Sequence, residues 1–290
     1  PEAEDAVGEL LLRVSGQPPV ATHDRIRGVS RVCVYLHKPA FLTPATRKAL
    51  RQGLADIRAC GLDVGSARIA WNPVKAADWT ESWKRHFKPM LVGRTLWIRP
   101  SWSRQRPGPG QSELVLDPGL SFGTGQHPTT GFCLAEIVRL RPRNNPASML
   151  DVGTGSGILA LAAARLGYQP VQGFDFDPES IRVARRNAAD NHLNAQVKLV
   201  RGDVARLTTS PRRRYSVVAA NLTSDLLLRH ADTLLAQVTP GGTLILAGIL
   251  AEEFPQVANA FESRGAQPLR SRRLREWCSG SFLIPVSPKT

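Results

Sequence analysis

Three glycines at alternate positions, Gly153, Gly155 and Gly157, follow a short apolar run over residues 149–152 and precede a helix-favouring stretch over 158–166. That order reads as strand, tight loop and helix start. Glycine tolerates positive φ and leaves no Cβ between backbone and ligand, and amides at a helix start favour a partial negative charge. The chemistry indicated is the seating of a nucleotide-like cofactor.

Spacing narrows the cofactor. A dinucleotide fingerprint needs its third glycine three positions after the second, whereas here the pattern is G-x-G-x-G, and Ile158 follows Gly157. Asp175 closes the next apolar run, residues 170–174, where a carboxylate can accept from both ribose hydroxyls. Both halves suit S-adenosylmethionine better than NAD. A purely structural reading makes the loop a glycine-rich turn and Asp175 a cap for the helix from Pro178.

Other polar residues mark strand ends in the same half of the chain. Asp203 follows a strand over 196–201 and can meet an adenine amino group or simply cap a turn. Asn221 ends a strand over 216–220, where a side-chain carbonyl can accept from an incoming amine. Upstream, the segment 117–130, DPGLSFGTGQHPTT, is too rich in Gly, Thr and Pro for regular structure. It is expected to form one wall of the pocket. Its Thr130 contributes a hydroxyl or an N-cap, and His127 either shapes the loop or serves as a base.

The elements that must position these residues alternate strand and helix: helices over 131–140, 178–191, 226–238 and 251–264, and strands over 196–201, 216–220 and 243–247. Two final β-like runs, 268–274 and 278–286, suit an edge hairpin. This alternation predicts a doubly wound parallel α/β sheet with helices on both faces. Residues 7–71 read as a smaller α+β domain: strand-like segments at 9–14 and 31–36, an amphipathic helix at 44–60 and a strand at 67–71. The expected boundaries are an N-terminal domain over 1–75, a linker over 76–110 rich in Trp and basic residues, and a cofactor-binding catalytic domain over 111–290. Phe122 and Trp79, Trp83, Trp97 and Trp102 are either packing residues or an aromatic wall around a cationic nitrogen.

The 290 residues carry a net charge of +14, from 31 Arg against only seven Lys. Clusters at Arg212, Arg213, Arg214 and at Arg270, Arg272, Arg273, Arg275 read first as solvated faces and second as contacts to RNA or a ribosomal surface. Four scattered cysteines, without C-x-x-C, and six histidines without metal spacing predict free thiols and no metal site. No apolar run is long enough to span a membrane, so a cytoplasmic protein is expected.

Several of these segments together resemble one family. DPGLSFGTGQHPTT, LDVGTGSGILALAA, GFDFDP, the Asn221-Leu222 strand end, GGTLILAGIL, Arg275-Glu276-Trp277 and the segments WKRHFKP and LWIRPSW are similar to the ribosomal protein L11 methyltransferases. These are class I, Rossmann-like, S-adenosyl-L-methionine-dependent enzymes. The resemblance covers residues 79–286 and implies methylation of lysine ε-amines and an N-terminal α-amine of that large-subunit protein by a monomer. It also implies cofactor contacts at Thr130, Gly153, Asp175 and Asn221, with Asn221 nearest the chemistry; Gly155 of the glycine loop and Asp203, read from their positions, complete the expected cofactor set. The family's N-terminal domain is a ferredoxin-like βαββαβ unit, of which this chain is expected to hold only the last four elements. A ribosomal RNA methyltransferase, a lysine methyltransferase for another protein and a non-catalytic docking module are the competing readings.

Overall fold

Strands of the larger half alternate their side chains between two separate cores, and that alternation builds the sheet. The computed structural model describes residues 3–16, 19–24, 29–34, 36, 43–70, 88–117, 127–143 and 145–286. Trp79, Trp83, Phe122 and residues 118–126 of the predicted pocket wall lie outside the described residues. The chain divides into two compact units, residues 1–75 and 76–290.

In the first unit, helix α1 (Glu4–Ser15) precedes strands β1 (Val20–Asp24) and β2 (Val29–Cys33), which pair antiparallel, and helix α2 (Pro44–Ala59) follows. Thr43 caps α2 by accepting from the Thr46 amide at 3.1 Å, and Pro44 supplies a preset φ in the first turn. Gly53 of α2 faces Leu10 of α1 so closely that a Cβ there would stand 2.3 Å from Leu10 Cδ1. The expected strand at 9–14 is therefore the second half of a helix. Consecutive leucines at 10, 11 and 12 mask a stripe at Ala3, Val7, Leu10 and Val14 that has helical spacing. The expected strand at 67–71 also fails over its described part, residues 67–70, which have no regular structure, and Ala67 sits at φ 45°. The order helix, strand, strand, helix replaces the predicted strand, strand, helix, strand among the described residues.

The described part of the second unit opens with short strands β3 (Met90–Val92) and β4 (Leu96–Arg99), inside the linker expected over 76–110, and β5 (Ser112–Val115), just past it. They form a sheet of their own, antiparallel then parallel. Val92, Leu96, Ile98 and Leu114 join one of the two cores, so residues 90–115 are folded rather than connecting. The main sheet then assembles from β6 (Met149–Val152), β7 (Val171–Asp175), β8 (Val197–Arg201), β9 (Tyr215–Asn221), β10 (Val238–Leu250), β11 (Gln267–Leu274) and β12 (Trp277–Leu283). Its order is β11-β12-β10-β9-β6-β7-β8, and only β11 and β12 pair antiparallel with their neighbours.

Helices α3 (Pro128–Arg139), α4 (Ile158–Arg165) and α5 (Pro178–Asp190) cover one face over Met149, Val217, Ala219 and Ile245. Helices α6 (Ser224–Arg229), α7 (Ala231–Ala236) and α8 (Phe254–Glu262) cover the other over Leu150, Val218, Ala220 and Leu246. The single helix expected over 226–238 is thus two, broken at His230, which takes φ −112°. This is the predicted doubly wound sheet. The strand order reverses between β6 and β9, and the crevice at that reversal is where ligands bind in open α/β sheets.

Candidate functional site

Register alone brings the predicted residues into one row. Val152 pairs with Ala220 on one side and with Phe174 on the other. The next residues along, Gly153, Asn221 and Asp175, therefore stand at the ends of three adjacent strands. Ala247 of β10 pairs with Asn221 itself. Two interstrand spacings, about 10 Å, separate the strand carrying Asp175 from the strand carrying Asn221. A ligand lying along this rim can touch both.

The glycine loop is built for close approach rather than for phosphate. Gly153, Gly155 and Gly157 take φ of 71°, 52° and 84°, all in the left-handed region. The amides of Gly153 and Thr154 both donate to Phe174 O (3.0 and 2.9 Å), and Gly157 N donates to Thr154 O at 2.8 Å. Gly155 N donates to Asp175 Oδ2 at 2.9 Å. These four amides already have partners, so they cannot form the anion nest that a pyrophosphate needs. A Cβ on Gly153 would stand 2.6 Å from Leu222 Cδ2, which joins this loop to the residue after Asn221.

Asp175 is 9% exposed and accepts one backbone bond on each oxygen, from Gly155 N and, at 3.1 Å, from Asp177 N. Each oxygen keeps a lone pair for a hydroxyl. The cap of α5 is Asp177, which accepts from Glu179 N and Ser180 N, so the competing role for Asp175 is filled by its neighbour. Phe176, next along, is 72% exposed and leaves a flat apolar surface beside that carboxylate.

Thr130 is in the first turn of α3, 1% exposed; the N-cap position belongs to His127. Asn221 Nδ2 donates to Thr130 Oγ1 at 3.5 Å, the long end of hydrogen bonding. With the amide oriented that way, Asn221 Oδ1 is buried with no hydrogen-bond partner. His127 Nδ1 lies 2.7 Å from Thr129 Oγ1, and its ring meets Trp277 edge-on at 4.9 Å. Burial lowers the His127 pKa below its ordinary value, opposed by the charge of Glu276, and so favours the neutral ring. Both contacts fix the start of α3 and so the position of Thr130. Asp203 is exposed and uses Oδ1 to accept from Ala205 N at 2.9 Å, capping a one-turn 3-10 helix. It lies two residues beyond the end of β8, which neighbours β7. Trp97 and Trp102 are half-buried in the segment of short strands. Among the described residues no cluster of His, Cys, Asp or Glu could hold a metal, and no helix is long and apolar enough to cross a membrane.

Asp151 was not picked out from the sequence, because a lone acid inside an apolar strand gives no periodic signal. It is fully buried; Oδ2 accepts from Thr154 Oγ1 at 2.6 Å and Ala160 N at 3.2 Å, while Oδ1 has no partner. It ties the glycine loop to α4. Burial raises its pKa from 3.8 to about 6, against the bonds from Thr154 and Ala160. The folded protein then holds this proton more tightly than the unfolded chain does. The resulting stability is complete below about pH 3.8 and is lost as pH rises through about 6. Asp151→Asn is expected to remove this dependence. The difference in unfolding free energy between wild type and variant should change by about 2 kcal/mol between pH 4 and pH 7.5, at about 1.36 kcal/mol per pH unit separating the folded and unfolded pKa, with the unfolded carboxyl already partly ionised at pH 4. Urea unfolding reads it; a difference constant across that window would show an ordinary carboxyl.

The family model described as ribosomal protein L11 methyltransferase matches residues 32–282. The ribosomal protein L11 methyltransferase of Geobacter metallireducens is 43% identical over 219 residues, covering 74% of this chain and 69% of that protein. The protein of the same name from Geotalea daltonii is 36% identical over 230 residues, covering 74% and 71%. Among solved structures, the ribosomal protein L11 methylase from Lactobacillus delbrueckii subsp. bulgaricus aligns with a TM-score of 0.60 at 28% identity, covering 69% of this chain and 99% of that one.

Proposed function

Since this chain belongs to the ribosomal protein L11 methyltransferase family, we propose that it methylates lysine ε-amines and the N-terminal α-amine of ribosomal protein L11. Family membership makes it a class I methyltransferase that uses S-adenosyl-L-methionine. The strand-end residues fit that cofactor: left-handed glycines that admit close approach, a carboxylate with two free lone pairs, and an orphaned buried carbonyl. Asp175 would hold the ribose, Gly153 and Gly155 would border the ligand, and Thr130 would contact it from α3. Asp203 would reach the adenine edge. When bound, the cofactor supplies a methyl group activated by sulfonium.

The observation that carries the reading is Asn221 Oδ1, buried and unpaired at the strand reversal. Leaving such an acceptor unsatisfied costs about 1–3 kcal/mol, so a donor from outside the chain is its natural partner. An amine N–H meets that need and, held there, has its lone pair aimed along the rim. The amine must arrive neutral, and with a free lysine pKa of ~10.4 few molecules are neutral at pH 7. Asn221 and Thr130 are uncharged, so they favour the ammonium form far less than a carboxylate there would.

We assign substrate recognition to residues 1–75, catalysis to residues 111–290, and a monomeric state to the working enzyme. A cytoplasmic location is consistent with Cys33, Cys60, Cys133 and Cys278, all free thiols. The test is incubation with radiolabelled cofactor, separated ribosomal proteins and ribosomal RNA. Label is expected in L11, on lysines and the N-terminus by peptide mass mapping. Label confined to RNA, or to another protein, would replace this reading with one of its rivals.

A further inference from the structure

We infer that Gly248 is a positioning residue for the methyl acceptor: its bulge in β10 keeps open the side of Asn221 Oδ1 from which the amine arrives. The inference rests on the reading of Asn221 as the acceptor-side residue.

The bulge follows from register. Leu246 pairs with Gly280 and Ile249 with Cys278, so Ala247 and Gly248 together face Ser279 alone. The extra residue bends β10 at the point where Ala247 pairs with Asn221 and accepts from Leu222 N at 3.0 Å. Gly248 takes φ +84° there and is half-exposed in an otherwise buried run. A Cβ on Gly248 would stand 2.5 Å from Leu222 O and 3.1 Å from Asn221 Oδ1. The first distance forbids a side chain without movement of the backbone that carries Asn221. The second shows that Gly248 borders the unpaired oxygen directly. Gly153 also packs closely on Leu222, where a Cβ would stand 2.6 Å from its side-chain Cδ2. Two left-handed glycines, one in the cofactor loop and one in the bulge, thus fix the dipeptide that presents the acceptor oxygen.

A structural explanation makes a different forecast. If Gly248 served only to satisfy a left-handed φ, asparagine would replace it better than alanine, because Asn tolerates that region several-fold more often. If Gly248 keeps the approach to Asn221 clear, asparagine is the worse replacement, because it is larger. Gly248→Ala and Gly248→Asn are therefore compared for kcat and KM with L11, for cofactor affinity by calorimetry, and for thermal stability. We expect kcat to fall roughly 100-fold in the Ala variant and at least as far in the Asn variant, the scale of an ångström-sized misplacement. Cofactor affinity should stay within about threefold of wild type, since binding energy lost only at the reacting centre lowers kcat selectively. The Asn variant should be the more stable of the two. An Asn variant that turns over faster than the Ala variant overturns the inference while leaving the methyltransferase reading intact. A wild-type enzyme that methylates no lysine of L11 overturns both.

Discussion

Asp175→Ala is expected to weaken S-adenosyl-L-methionine binding by roughly 10²- to 10⁴-fold, measured by calorimetry on the free enzyme. Hydrogen bonds to a charged group contribute about 1.5–3 kcal/mol each, and two hydroxyls are at stake. Each 1.4 kcal/mol is about tenfold in affinity. A second loss adds to the first. Gly155 N and Asp177 N both use this carboxylate, so alanine also unties the glycine loop from the end of β7. Asp175→Asn separates the two. One amide oxygen can serve one of the two backbone donors, and the amide nitrogen opposes the other. Asn should therefore fall between wild type and Ala in affinity, with less loss of thermal stability than Ala. Binding as tight as wild type in both variants would remove Asp175 from the site.

Asp175 was legible in the sequence for the same reason that the fold was. In a parallel sheet buried on both faces, each strand is a short apolar run, and the first polar or glycine residue after it marks the carboxyl rim. Residues 149–152 before Gly153, 171–174 before Asp175 and 215–220 before Asn221 are mainly apolar runs closed by the rim residue, although Asp151, Gln172, Gly173 and Ser216 interrupt them. Reading the strand ends was enough to gather the row.

What the sequence hid depends on long-range geometry. Trp277 reaches His127 only because β12 inserts antiparallel between β10 and β11, which carries the hairpin turn back to the rim. No spacing rule links residues 150 positions apart. Gly248 was invisible for a related reason: a glycine near the end of a strand marks a bulge only once the partner strand shows the slipped register. Strands β3 and β4 fall inside the linker expected over 76–110 because they are only three and four residues long and set among Trp, Pro and Arg. Strands so short carry too few alternations to reveal a face.

Asn221→Ala should give the largest loss of turnover, with kcat down roughly 10²- to 10³-fold and cofactor affinity changed far less. Removing one preorganised hydrogen-bonding group at a reacting centre has about this effect. Asn221→Asp is more informative, because it keeps the acceptor oxygen and changes only the charge. A carboxylate at that position would favour the ammonium form of the incoming lysine, which has no lone pair to offer. The Asp variant should therefore be slow at pH 7 and recover as pH rises, displacing the pH–rate profile to alkaline values relative to wild type. Steady-state kinetics between pH 6 and 10, assayed by label incorporation into L11, would show the displacement. An Asp variant with the wild-type profile would mean that the amine does not meet this residue. The expected contrast gives a reason for amide over acid at the end of β9: a neutral acceptor can hold the amine while favouring its ammonium form far less than a carboxylate would.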